Sequence, residues 1–276
     1  MSAKDYFITF IKGIIIGLSN VVTGISGSAL MLSLGLYENI IDSFNNMLKN
    51  KKKHILIAVV IGILVGLLSS FKISTIANSK YHTQTILFFS GIILGGLKLY
   101  SKKLKKDFNK KILIISIISA VLIVALFLLI PKLEAKEYIE FSKTNILIVF
   151  LLGLLSGSLL IPGVSAALIL TNAGYYDALI NAFDELLKFN NINSFIILTS
   201  FVIGFLVGII SLAKLLLFLL KKYKDKMHYL IMGLTFGSII IALLQIKSIE
   251  FSIISLLSYI VFITWGYLFV INVIKE

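Results

Sequence analysis

The chain has 276 residues, a mean hydropathy of +1.02 and a hydrophobic fraction of 58% against 14% charged, so most of it cannot face water. There is no cysteine, which excludes disulfides and thiol chemistry. The net charge of +13 is carried by lysine without arginine, and its placement in short loops between apolar runs argues against nucleic acid as the partner.

In chain order, residues 6–48 read as helix, break, helix. Met1 to Ile16 lacks a small-residue cleavage site and runs on into the break, so it reads as a first membrane helix rather than a signal peptide. The break is Gly24-Ile-Ser26-Gly27-Ser28, followed by an apolar stretch ending in Gly35-Leu-Tyr37-Glu38. Three apolar spans follow, at about 55–71, 84–100 and 112–131, each near the ~20 residues that cross a hydrocarbon core. A polar connection at 132–145 leads to a second helix–break–helix region, 146–189. Its break is Gly163-Val164-Ser165-Ala166-Ala167, followed by Gly174-Tyr-Tyr176-Asp177. Three further spans, at about 195–220, 229–244 and 252–273, complete the chain.

The chain therefore repeats itself. Gly163, Gly174, Tyr176 and Asp177 stand at a constant offset of 139 from Gly24, Gly35, Tyr37 and Glu38. Further on, Gly62, Gly66, Lys72, Gly91 and Gly95 meet Gly204, Gly208, Lys214, Gly233 and Gly237 at an offset of 142. The lysine clusters at 49–53, 102–111 and 221–226 mark the cytoplasmic face by the positive-inside rule, with both termini on that side. These loops also suit contact with anionic phospholipid headgroups. Three spans separate the two breaks, so the second half is inverted relative to the first. The expected fold is an all-α integral membrane protein, a single domain over 1–276, with repeats 6–131 and 146–273. Each repeat is a broken, re-entrant helical hairpin followed by three transmembrane helices.

A break in a membrane helix leaves backbone groups unpaired, and it survives only against protein or a wet cavity. Matching breaks in inverted halves are a recurrent place for substrate sites. A helix restarting after a break turns N–H groups towards it, and serine hydroxyls add donors. Gly24, Ser26, Gly27 and Ser28 in the first break, and Gly163, Val164, Ser165 and Ala166 in the second, are thus candidates to bind an anion. The same residues also serve as tight turns that let helices pack. Glu38 and Asp177, fourteen residues past Gly24 and Gly163 and roughly 21 Å or four turns along a helix, are either interfacial carboxylates or proton-relay groups for ion coupling. Lys72 and Lys214, symmetric in the repeat, either snorkel or meet an anionic headgroup. The Gly-x-x-x-Gly pairs at 13/17, 62/66, 91/95, 153/157, 204/208 and 233/237 point to close helix packing. Asn20 and Asn172 lie beside the breaks, where they cap or line them.

The two motifs in this order resemble the bacterial polyprenyl-phosphate transporter family, whose pattern is Pro-Gly-x-Ser-Gly-Gly with Gly-x-Tyr-Glu, then Pro-Gly-x-Ser with Gly-x-Tyr. Gly24, Ser26, Gly27, Gly35, Tyr37 and Glu38 match the first half, and Pro162, Gly163, Ser165, Gly174 and Tyr176 the second. Thr23, Asn20, Ser28 and Ala166 depart from the pattern. The resemblance implies a transporter in the bacterial cytoplasmic membrane that returns undecaprenyl phosphate for envelope synthesis, without a cofactor. From the residues alone, an ion-coupled carrier of a small anionic solute remains open. An enzyme is not expected, because isolated His54, His82 and His228, without arginine or cysteine, make no phosphoryl-transfer or metal constellation.

Overall fold

A computed structural model describes residues 3–19, 25–45, 53–79, 81–104, 110–188, 191–246 and 251–274. Among the described residues every regular element is helical. The first six helices are α1 (Ala3–Leu18), α2 (Gly27–Ser33), α3 (Tyr37–Asn45), α4 (Lys53–Ser79), α5 (His82–Leu104) and α6 (Lys110–Leu129). The next six are α7 (Lys143–Ser156), extended by a 3-10 turn at Gly157–Leu160, then α8 (Ala166–Asn172), α9 (Tyr176–Leu187), α10 (Ile192–Lys222), α11 (Lys224–Leu244) and α12 (Ile253–Ile274). Each set runs long, short, short, then three long.

Five helical segments among the described residues are long and apolar enough to cross a membrane: His82–Lys102, Lys143–Leu160, Ile192–Lys222, Lys224–Leu244 and Ile253–Asn272. The apolar stretches of α4 and α6, Ile55–Ser70 and Leu113–Leu129, are shorter. The sequence reading counted both of those among six spans and placed 146–160 in a hairpin. The first limb of that hairpin is instead long enough to span by itself. The chain is a multi-pass membrane protein.

Glycine sets the helix pairing. A Cβ on Gly13 would stand 2.5 Å from the Val59 carbonyl oxygen, and one on Gly66 2.3 Å from that of Ile14, so α1 and α4 touch backbone to backbone. Gly153 and Gly204 bring α7 against α10 in the same way, at 2.2 Å from the Phe201 oxygen and 2.1 Å from the Phe150 oxygen. No larger residue fits at these points, as the Gly-x-x-x-Gly spacing implied. The remaining long helices pair across the halves: α5 with α12, and α6 with α11. The third long helix of each set thus packs on the fourth long helix of the other.

The short helices α2 and α8 end alike. Gly35 (φ 71°) and Gly174 (φ 75°) adopt the left-handed conformation. Leu36 N–H donates to the Met31 carbonyl and Tyr175 N–H to the Leu170 carbonyl, at 2.8 and 3.0 Å, the six-to-one bond of a Schellman stop. Each helix is therefore halted after seven residues, roughly 10 Å of rise. This overturns the expectation that Glu38 and Asp177 ride about four turns further along the same helix. They begin new helices, α3 and α9.

Candidate functional site

The second break is a turn dictated by its residues. Pro162 presets the first central position, and Gly163 at φ 89° supplies the second. Val164 N–H closes the turn on the Ile161 carbonyl at 3.1 Å, the arrangement of a type II turn. A Cβ on Gly163 would meet the Leu234 carbonyl oxygen of α11 at 2.7 Å. Ser165 then caps α8, its Oγ accepting from Leu168 N–H at 3.4 Å. Accepting there leaves the hydroxyl hydrogen of Ser165 available to donate, and among the described residues it has no acceptor.

The first break behaves differently. Gly24, Asn20 and Thr23 lie outside the described residues. Ser26 occupies the N-cap position of α2 but makes no side-chain cap bond. Its hydroxyl lies 2.8 Å from Ser28 Oγ and 3.2 Å from the Val164 carbonyl oxygen, so one hydrogen is shared between two acceptors. Ser28 donates to the Ile161 carbonyl at 3.0 Å, and Tyr37 donates to the Leu160 carbonyl at 2.9 Å. Both serines are fully buried, and Tyr37 is 2% exposed. Three hydroxyls of the first half therefore hold the backbone of the second break. The expectation that Ser26 and Ser28 present free donors to an anion is not met in this arrangement. Their hydrogens are directed at peptide oxygens that the broken helix left without helical partners.

Among the described residues, no hydroxyl of the second half donates to the first break in return. At the repeat offset, Ser28 and Tyr37 correspond to Ala167 and Tyr176. Ala167 has no hydroxyl, and Tyr176 is 38% exposed. Packing is uneven too. Gly96 of α5 lies so close to α2 that a Cβ there would be 2.2 Å from Ser33 Cα. The equivalent face of α8 borders a cavity.

That cavity has a volume of about 460 Å³ and is lined mostly by apolar side chains of α6, α7 and α8. Gly163, Val164 and Ser165 form its break side, and Asn172 its far side. Asn172 is 6% exposed, and its Oδ1 has no hydrogen-bond partner. An unpaired buried amide oxygen costs roughly 1–3 kcal/mol. The amide can turn either end to a ligand, with two N–H donors on one side and an acceptor on the other.

The other expected residues lie apart. Gly27 and Ala166 are the first helical residues of α2 and α8. Glu38 and Asp177 are exposed in the first turns of α3 and α9, where a carboxylate complements the helix dipole. Lys214 is exposed in the last third of α10 and does not line the cavity. The backbone of Lys72 belongs to α4, and its side chain lies outside the described residues. The cross-break role of Tyr37 was not foreseen. Its signal was the Gly-x-Tyr spacing common to both halves.

The undecaprenyl phosphate translocase-like family pattern matches residues 1–108 and 99–256, most of the chain. The chain belongs to this family. Within it, a polyprenyl-phosphate transporter of Staphylococcus aureus (strain NCTC 8325 / PS 47) is 28% identical over 240 residues, covering 84% of each chain. A polyprenyl-phosphate transporter of Vibrio cholerae serotype O1 (strain ATCC 39315 / El Tor Inaba N16961) is 24% identical over 251 residues, covering 85% of this chain and 77% of the relative. No solved structure matches the chain.

Proposed function

We propose that this protein transports polyprenyl phosphate across the bacterial cytoplasmic membrane, and that the phosphate passes through the cavity at the second break. The observation that carries the reading is the pairing, in one largely apolar cavity, of the Ser165 hydroxyl with the buried, unpartnered Asn172. A lipid phosphate leaving water needs donors in place of its hydration, and an isoprenoid chain needs apolar walls. This cavity offers both. The two curated relatives are named for the same cargo.

The halves are read as inverted repeats, with both termini in the cytoplasm and the short limbs α2 and α8 as re-entrant segments. Their length of seven residues against the ~20 needed to span supports this. So does the exchanged pairing of α5 with α12 and α6 with α11. The one-sided hold of the first break on the second supports alternating exposure: one side of the site is closed by hydroxyl–carbonyl bonds while the other borders a cavity. The curated relatives are named as transporters and not as enzymes, which supports transport without a chemical step.

The test is a flip assay in proteoliposomes with labelled polyprenyl phosphate. Wild type is expected to move the lipid between leaflets, and Ser165→Ala and Asn172→Leu to slow it severalfold. Normal rates in both variants would remove this cavity from the path. Absence of lipid transport by wild type, with uptake of a soluble anion instead, would replace the cargo.

A further inference from the structure

A second, larger cavity lies on the lipid-facing side of α5, α6 and α11. It is a groove of about 720 Å³, within the range of ligand sites. Its walls are apolar, including Leu97, Ala120, Val124 and Phe236. Polar side chains gather at one end, where Lys98 and Ser101 of α5 face Ser116 of α6. That end lies towards the C-terminus of α5 and the N-terminus of α6. Lys98 is exposed four residues before the end of the apolar span His82–Lys102, where a lysine can keep its ammonium near the interface. Its ammonium donates to the Tyr267 hydroxyl at 2.6 Å and lies 5.3 Å from the centre of that ring. The contact fixes the cation at the groove mouth and uses one of its three hydrogens.

We propose that this groove is a second binding site for polyprenyl phosphate, with the phosphate on Lys98 and the isoprenoid chain along α6. The inference rests on the cargo reading above. The groove carries one positive charge at one end of one apolar channel, which complements a lipid with one anionic head on one chain. Lys98 can make a charge-assisted bond to a terminal phosphate monoester, which carries about −1.5 to −2 charge at neutral pH against the single charge of a phospholipid's phosphodiester. Its position supplies a route. Helix α6 presents Ile117, Val121 and Val124 to the groove and Ile123, Leu126 and Phe127 to the break cavity, so one helix separates the two sites. A lipid held on Lys98 is thus queued beside the break, at the cytoplasmic end of the membrane.

The experiment is photo-crosslinking of the full chain in nanodiscs with polyprenyl phosphate bearing a diazirine in its chain, read by peptide mass spectrometry. Wild type is expected to be labelled on the Ile117–Val124 face of α6 and at the second break. Lys98→Gln should lower the α6 labelling about tenfold while break labelling persists, and Lys98→Arg should restore it. Ala125→Phe, at a half-exposed lining position, should abolish α6 labelling by filling the groove. Equal α6 labelling in wild type and Lys98→Gln overturns the proposal. So does displacement of the probe from α6 by an equal amount of phosphatidylglycerol, because the groove would then hold ordinary phospholipid. Labelling at the break alone overturns the groove and leaves the cargo reading standing. No labelling at either place removes the cargo reading and the groove with it.

Discussion

The Ser28 hydroxyl of the first half donates to the Ile161 carbonyl of the second at 3.0 Å. This carbonyl also closes the Pro162-Gly163 turn through Val164 N–H, so one peptide oxygen ties the two breaks together. Ser28→Ala leaves that oxygen one partner, so the expected loss is near the low end for a buried hydrogen bond, about 1 kcal/mol. Ser26→Ala should cost less, because its single hydrogen is already shared between Ser28 Oγ and the Val164 oxygen. Thermal unfolding in detergent gives the order. Equal stability of Ser28→Ala and wild type would mean that the breaks are held by packing alone.

The two Schellman glycines make a paired test. Both have left-handed φ, for which a side chain costs about 1–2 kcal/mol. Around Gly35 nothing lies within 4 Å of a built Cβ, whereas at Gly174 the Glu134 carbonyl oxygen stands 2.1 Å away. Gly35→Ala should therefore show the conformational cost only. Gly174→Ala should lose more, because it also pushes off a segment pinned by Leu133 N–H to the Asn172 oxygen and Lys136 N–H to the Gly174 oxygen. Comparable melting temperatures for the two variants would contradict this.

These glycines also show what the sequence could disclose. Their constant offset made the duplication readable, and glycine every fourth residue made close helix packing readable, though not that α1 meets α4 and α7 meets α10. What spacing does not carry is the direction of a side chain after a turn. Seven residues of apolar sequence before Gly35 read as continuous helix through to Glu38, and only the left-handed φ shows that the axis changes there. The partners of Ser26 and Ser28 are over 130 residues away, so no local pattern reports them. Lys98 was passed over because a lysine near the end of a span is ordinary in sequence. It stands out only once the groove beside it is seen.

Asn172 separates stability from transport. Replacing it with leucine removes the unpaired Oδ1 and puts an apolar side chain against an apolar cavity. Removal of an unsatisfied buried polar group is neutral or stabilising. Asn172→Leu is expected to melt no lower than wild type and to transport more slowly. Unimpaired transport together with a raised melting temperature would show the amide to be dispensable.

The carboxylates Glu38 and Asp177 are exposed at helix starts, a placement worth about 0.3–1 kcal/mol through the dipole. Glu38→Gln and Asp177→Asn should each cost no more than that. The pH dependence of lipid transport should be unchanged in both. A profile displaced in either variant would reinstate a proton relay through that residue.

Inversion of the halves can be read from a single pair of side chains. Tyr81 precedes α5 and Tyr223 precedes α11, and the two stand at the repeat offset of 142. Each is 43% exposed. If the repeats are inverted, these equivalent connections lie on opposite faces of the membrane. The charge around them agrees: Lys221, Lys222, Lys224 and Lys226 surround Tyr223, whereas Lys80 alone adjoins Tyr81. Because the chain has no cysteine, Tyr81→Cys and Tyr223→Cys each carry one thiol. A membrane-impermeant maleimide added to intact cells should label Tyr81→Cys directly and Tyr223→Cys only after permeabilisation. Labelling of both from the same side would make the repeats parallel. The two breaks would then enter from one face, and alternating exposure through opposed hairpins would lose its geometric basis.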